Sequence, residues 1–330
     1  AQLETKLKTN PNDIESRKML LRFYSDYEIK PTPARAKSRL RHRLWFVQNR
    51  PEMTETEIFG FGLPYGTTDE GEYQILKAEW LKQVAANKTN AQIRLNAVAF
   101  LRYEEPETAE NLLLEGQKIN GEDYRFPFLL SDIYHDQAES FENAENPAKI
   151  KEFFQKGFET GEKALILLKK ERSASRDYDR RELLQNLVVS AFQMEKFDRA
   201  KSFATELILD FGQDSTDSGY TKAAHIGNIY LGRAALREGN TAKAKEHLLI
   251  AVRAPLRQEG SYLSEIDTEL AKELFNKGEK EAVLEYLKLS ESLWHLKTQP
   301  ELYEDELKAL KLWQEQIRQG KTPSFNFYEP

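Results

Sequence analysis

Apolar residues recur along this chain at the spacing of one helical face. Leu183, Leu184, Leu187, Val188, Ala191 and Phe192 form one such stripe. Leu270, Leu274 and Phe275 form another, as do Leu307, Leu310 and Trp313. A period near 3.6 predicts amphipathic helices, and no stretch sustains the two-residue alternation of a half-buried strand. Helix starts are marked by a capping residue followed three positions later by an acid, at Thr54 with Glu57 and at Asp179 with Glu182. Thr298, Pro300 and Glu301 predict a further start. Gly239-Asn240 and Gly278-Glu279 predict tight turns between helices.

A second, longer period lies on top of the first. From His225 the chain places Leu231, Gly232, Ala235, Gly239, Ala244, Leu248 and Ala251 in a large, small, turn, small, large order. Small residues at a crossing let two antiparallel helices approach closely, and the large ones fill the space around the contact. The same order recurs from Asn90 (Ile93, Ala97, Phe100, Ala109, Leu113, Gly116) and from Arg181 (Leu184, Leu187, Val188, Ala191, Phe197, Ala200). It appears again from Ser264, with Leu270, Ala271, Leu274, Gly278, Val283 and Leu287. A looser version comprises Leu20, Phe23, Tyr24, Ala36 and Leu40.

In these positions the chain resembles the tetratricopeptide repeat family over roughly two thirds of its length. The resemblance implies an all-α fold, a right-handed α-solenoid of antiparallel helix pairs with irregular, lengthened repeats. Unit starts at 90, 181, 225 and 264 are farther apart than the roughly 34 residues of a regular unit, and the wide first gap leaves room for one lengthened pair between about 124 and 180. The Trp usual at the fourth position is missing, and so are most closing prolines. The alternatives are a related helical-hairpin array and an irregular helical bundle, the latter less expected because the same small/large order recurs four times. We expect one domain over 1–330: an N-terminal helix pair (1–53), an aromatic and Gly-rich loop (54–73), repeat units (74–297), a capping helix (298–319) and an irregular tail (320–330).

Composition sharpens this picture. Apolar residues make up 40% and charged residues 31%, with 4 Trp, 14 Tyr and 18 Phe, so the chain can build a core under a charged surface. The formal net charge of −6 gives no global attraction to nucleic acid, and none is expected as a partner. With no Cys there are no disulfides, thiolate metal sites or thiol nucleophiles. No run approaches 18 apolar residues, so no membrane span is expected. The start at Ala1, a small residue, fits a signal peptide cut just before it; periplasmic or extracellular export is the favoured expectation, with a cytoplasmic location the alternative.

No motif for catalysis, cofactor or metal emerges. The five histidines, His42, His135, His225, His247 and His295, are scattered. Gly320-Lys321-Thr322 lacks the first Gly of a phosphate loop, since Glu315 stands there. Gly60, Gly62 and Gly66 have the wrong spacing for a dinucleotide loop. One basic run stands out: Arg35, Lys37, Arg39, Arg41, His42 and Arg43, with Arg35, Arg39 and Arg43 on one stripe. Its functional reading is a docking face for an acidic protein, anionic lipid or nucleic acid. The simpler and preferred reading is a helix back whose arginines pair with acids of neighbouring helices.

In tetratricopeptide arrays the first helix of each unit lines a concave groove, so the resemblance implies that a protein or peptide segment binds there. Counting along each first helix gives Arg94, Val98 and Arg102, then Gln185, Val189 and Gln193. Next come Ile226, Ile229, Arg233 and Arg237, and finally Thr268, Lys272 and Asn276. A wall of Arg, Lys and Gln suits a segment bearing carboxylates. The expectation is a non-enzymatic scaffold. The alternative is an enzyme or small-molecule binder whose pocket is closed by Phe59–Tyr65. A further idea places the tail aromatics Phe325 to Tyr328 in the groove of their own or a neighbouring chain.

Overall fold

A computed structural model describes residues 2–26, 32–54, 57–58, 70–140, 145–170, 176–213, 219–254, 266–295 and 303–327. Fifteen α-helices and no strand occur among the described residues. By internal contacts the chain divides into two compact units, Ala1–Ile133 and Tyr134–Pro330.

The first unit holds α1 (Gln2–Thr9), α2 (Ile14–Ser25), α3 (Pro33–Asn49), α4 (Glu70–Ala86), α5 (Ala91–Leu101) and α6 (Pro106–Ile119). Helix α7 (Arg125–Glu139) carries the boundary. From α1 to α6, consecutive helices pack together. Asp13, Thr32 and Asn90 cap α2, α3 and α5 by accepting from the backbone N–H three residues on, at 3.1, 3.2 and 3.1 Å. Thr54 and Glu57 form the expected reciprocal pair: the Thr54 N–H donates to Glu57 Oε2 at 2.6 Å, and the Glu57 N–H donates to Thr54 Oγ1 at 3.2 Å. Gly116 is required by a close approach, because a Cβ there would sit 2.1 Å from the Phe126 ring and 2.7 Å from Arg94 Cδ.

The second unit holds α8 (Pro147–Lys170), α9 (Asp177–Gln193), α10 (Phe197–Phe211), α11 (Tyr220–Arg237), α12 (Thr241–Arg253), α13 (Glu269–Asn276), α14 (Lys280–His295) and α15 (Glu304–Arg318). From α8 to α15 consecutive helices pack together, and alternate helices also touch: α9 on α11, α11 on α13, and α12 on α14. That alternation is the contact pattern of stacked helix pairs. The lengthened helix expected before residue 180 is α8, with 24 residues. Helix α9 starts at Asp177, two residues before the expected cap, so Asp177 and Asp179 both lie in its positive first turn. The Thr298 start lies outside the described residues.

The repeat positions form the core of these stacks. Ala191, Ala200, Ala204, Ala244, Leu248, Ala251, Leu270 and Leu274 are all fully buried. A Cβ on Gly232 would come within 2.3 Å of Leu270 Cδ2 and 3.3 Å of the Ala244 carbonyl, so Gly232 sets how closely α11 meets α12 and α13. Gly239 ends α11 at φ +78°, and the Asn240 side chain then caps α12 at 3.0 Å from the Lys243 N–H.

Helix α11 is enclosed: fourteen of its eighteen residues are buried. Its buried polar groups are matched to partners. His225 bonds to the Ala251 carbonyl through Nδ1 at 2.9 Å, and its Nε2 accepts from the Asp267 N–H at 3.0 Å. The second bond fixes the neutral tautomer with its proton on Nδ1. Burial lowers the His225 pKa, against the opposing pull of the Ala251 carbonyl and of Asp267. Asn228 donates to the Ala224 carbonyl at 2.8 Å and meets His247 Nδ1 at 2.9 Å.

The tail turns back on its own chain. Past Gly320, at φ +76°, the segment is non-helical. Phe325 is 5% exposed and lies 5.8 Å from both Phe275 and Trp313, ring centre to ring centre. Phe327 lies 4.7 Å from Trp313, and Thr268 Oγ1 donates to the Phe325 carbonyl at 2.8 Å.

Candidate functional site

The sequence-predicted groove residues do not share one environment. In the first unit, Arg94 is 3% exposed and Val98 is fully buried. Arg94 passes beneath Gly116 and donates to Glu115 Oε2 at 3.1 Å and to the Lys88 carbonyl at 3.2 Å. Arg102 pairs with Asp132 at 2.6 Å and lies over the Tyr103 ring. In the second unit Gln185 and Ile229 are buried. Arg94 and Arg102 thus join helices within the protein.

A different arrangement holds at one end of α9, α11 and α13. Phe192, near the end of α9, meets Tyr230 of α11 edge-on at 5.4 Å. One turn further along α11, the Arg233 guanidinium lies 4.4 Å from the Phe192 ring centre and 5.2 Å from that of Tyr230. The guanidinium of Arg237, another turn on, lies 5.3 Å from Phe192. Both arginines converge on one carboxylate of α13: Arg233 Nε donates to Glu273 Oε1 at 3.0 Å, and Arg237 donates to both oxygens at 2.9 and 3.0 Å. Glu269 stands 3.9 Å from Arg233. Burial opposes the charge on Arg233, and Tyr230, Glu273, Asp267 and Glu269 outweigh it, so its pKa is raised.

The outer edge of this cluster is open. Gln193, Arg237, Lys272 and Asn276 are exposed, while Arg233 lies beneath them with its side chain 8% exposed. Of the eight predicted residues, these four are exposed, and Arg233 is buried against Glu273 and the Phe192 ring. Lys272 has no acidic partner among the described residues. Of these exposed side chains, Arg237 lies against the Phe192 ring.

Sequence counting missed Phe192, Tyr230 and Glu273. One signal was available for the last. Glu269 and Glu273 are four residues apart on one first helix, as Arg233 and Arg237 are on the preceding one, so adjacent first helices bring the two pairs into register.

The basic run is mostly spoken for within the fold. Arg39 pairs with Glu72 at 2.6 Å and Arg43 with the same acid at 3.4 Å, and the Glu72 side chain is 2% exposed. Arg35 donates to the Phe23 carbonyl at 2.7 Å and to those of Tyr24 and Asp26. The loop Phe59–Tyr65 lies outside the described residues. Among the described residues, no three His, Asp or Glu side chains are grouped to hold a metal, and no helix is long and apolar enough to cross a membrane. Compared with protein families and with curated proteins, the chain matches no family model and no curated sequence.

Proposed function

We propose that the chain is a non-enzymatic scaffold of the tetratricopeptide-like solenoid kind, which binds a protein segment along the open edge of α9, α11 and α13. The observation that supports this reading is the Arg233–Arg237–Glu273 cluster. It locks three successive first helices together while leaving Gln193, Arg237, Lys272 and Asn276 accessible. A surface held rigid before binding loses little conformational freedom when it binds. The free positive charge of Lys272 favours a segment carrying acidic side chains.

A photo-crosslinking residue tests this. It is placed at Asn276 and, in a second variant, at the exposed Lys163 of α8, each in the intact protein within its own cell. The expected result is a discrete adduct from position 276 that is absent from position 163. It should weaken when Lys272→Glu is added. Equal adducts from both positions, or none from 276, would overturn the reading.

A further inference from the structure

The basic run of α3 has two faces, and the fold treats them differently. Arg39 and Arg43 are spent on buried Glu72. Lys37 and Arg41 face the other way, into a groove of about 570 Å³ between α1 and α3. Its α3 side is formed by positions 37, 40, 41, 44, 45 and 48, which follow one helical face for about 17 Å. The α1 side contributes Glu4, Leu7 and Lys8.

The floor is apolar and partly open: Leu40, Leu44 and Trp45 are all partly exposed. The flanks are cationic, with Lys8, Arg17, Lys37 and Arg41 set against one acid, Glu4. That acid is already committed. It accepts from Arg41 at 2.5 Å and from the Tyr24 hydroxyl at 2.9 Å, and meets His42 Nε2 at 3.2 Å. Lys8 and Lys37 are exposed and have no acidic partner among the described residues. Arg17 is held in place by two bonds to the Pro11 carbonyl, at 2.9 and 2.7 Å, and its guanidinium lies 4.0 Å from the Trp45 ring centre. Burial chiefly lowers the Arg17 pKa, and the charge of Arg41 lowers it further against the pull of Glu4.

We propose that the α1–α3 groove is a receptor for an acidic amphipathic helix of a partner protein, which seats apolar side chains on Leu40, Leu44 and Trp45 and places carboxylates against Lys8, Lys37 and Arg17. The α3 stripe at i, i+3, i+4 and i+7, with Glu4, Leu7 and Lys8 of α1 beside it, presents ridges and a groove that a third helix fits. A small anion would satisfy the cations and leave the apolar floor wet. This site lies wholly in the first unit and is independent of the α13 edge.

The test uses the full chain and a labelled synthetic peptide of about four helical turns, with Leu along one face and Glu on both flanks, followed by fluorescence anisotropy at low salt. A second peptide carries Gln in place of every Glu. We expect the acidic peptide to bind and the Gln peptide to bind about tenfold or more weakly. The double variant Lys8→Glu with Lys37→Glu should lose about tenfold or more, while keeping its helical circular dichroism, since both side chains are exposed. The double variant Lys118→Glu with Lys163→Glu makes the same charge change at exposed positions elsewhere and should stay within about twofold. Equal losses in the two double variants would reduce the effect to overall charge and overturn the site. So would equal binding of both peptides, or no binding of either. Phosphatidylserine vesicles that bind through Lys8 and Lys37 when the peptide does not would assign the groove to a membrane surface and overturn the helix-receptor reading.

Discussion

Glu273 of α13 receives Arg237 of α11 through both carboxylate oxygens, at 2.9 and 3.0 Å. The same carboxylate takes Arg233 from below, yet the two arginines are not equivalent. The Arg233 side chain is 8% exposed and that of Arg237 is 39% exposed. Removing the acid by Glu273→Ala strands the guanidinium of Arg233 away from water. We expect a loss of about 2–4 kcal/mol in urea unfolding. Arg237→Ala removes the solvated partner and should cost less than about 1 kcal/mol. Equal losses from the two variants would contradict this division.

Gly116 packs closely against both Arg94 and Phe126. Gly116→Ala gains helix propensity worth up to about 1 kcal/mol. The added methyl group must displace a fully buried ring, for about 1–3 kcal/mol of overpacking. The net effect should be a lower melting temperature. A neutral or stabilised variant would show that α6 and α7 can move apart freely.

His225 makes stability depend on pH. Its folded-state pKa is lowered by burial, so the unfolded chain takes up the proton first. The contribution is complete above the unfolded value of about 6.5 and is lost as pH falls toward the depressed folded value. His42 and His247 are lowered in the same direction, again chiefly by burial. Asp13, held down to about 2 by hydrogen bonds from Lys6 and Ser16, titrates well below this window. Unfolding at about pH 7.5 and 5.5 should show the native protein losing stability, and His225→Asn losing less. An identical pH dependence in the variant would assign the loss to other groups.

The tail is held by its own chain, so deleting residues 321–330 should expose Trp313 and Phe275. We expect red-shifted tryptophan emission and a loss of about 2 kcal/mol or more, with no change in the mass of the particle. A fall in mass would mean that tails are exchanged between copies. The Phe325 backbone, at φ +54°, adds a second check. Asparagine tolerates that conformation better than phenylalanine does, so Phe325→Asn should lose burial while relieving part of the backbone strain.

The pairing of helices could be read in advance because it depends on side-chain volume at fixed spacing. Gly232, Ala244, Leu248 and Ala251 sit where that spacing put them, and Gly239 and Gly278 both adopt positive φ at their turns. The groove wall was less legible. Helical counting gives the direction in which a side chain leaves its helix, but the neighbour it meets depends on how the next pair is stacked. Arg94 and Arg233, counted as groove-facing, are buried, Arg94 beside Gly116 and Arg233 over Phe192, and each meets an acid from another helix. Long basic side chains can bury their stems and still find a carboxylate, so charge alone did not mark them as solvent-facing. The run from Arg35 to Arg43 shows the same effect: its outcome depended on Glu72 and Glu4, which lie about 30 or more residues away in sequence.

The enclosure of α11 governs how the second unit can come apart. A helix walled in on nearly every side cannot fray alone, because freeing its amides means separating α9, α10, α12 and α13 from it at once. Its backbone hydrogens should therefore trade with solvent only when the whole unit opens, and the slowest amides of α11 set the time scale for that event.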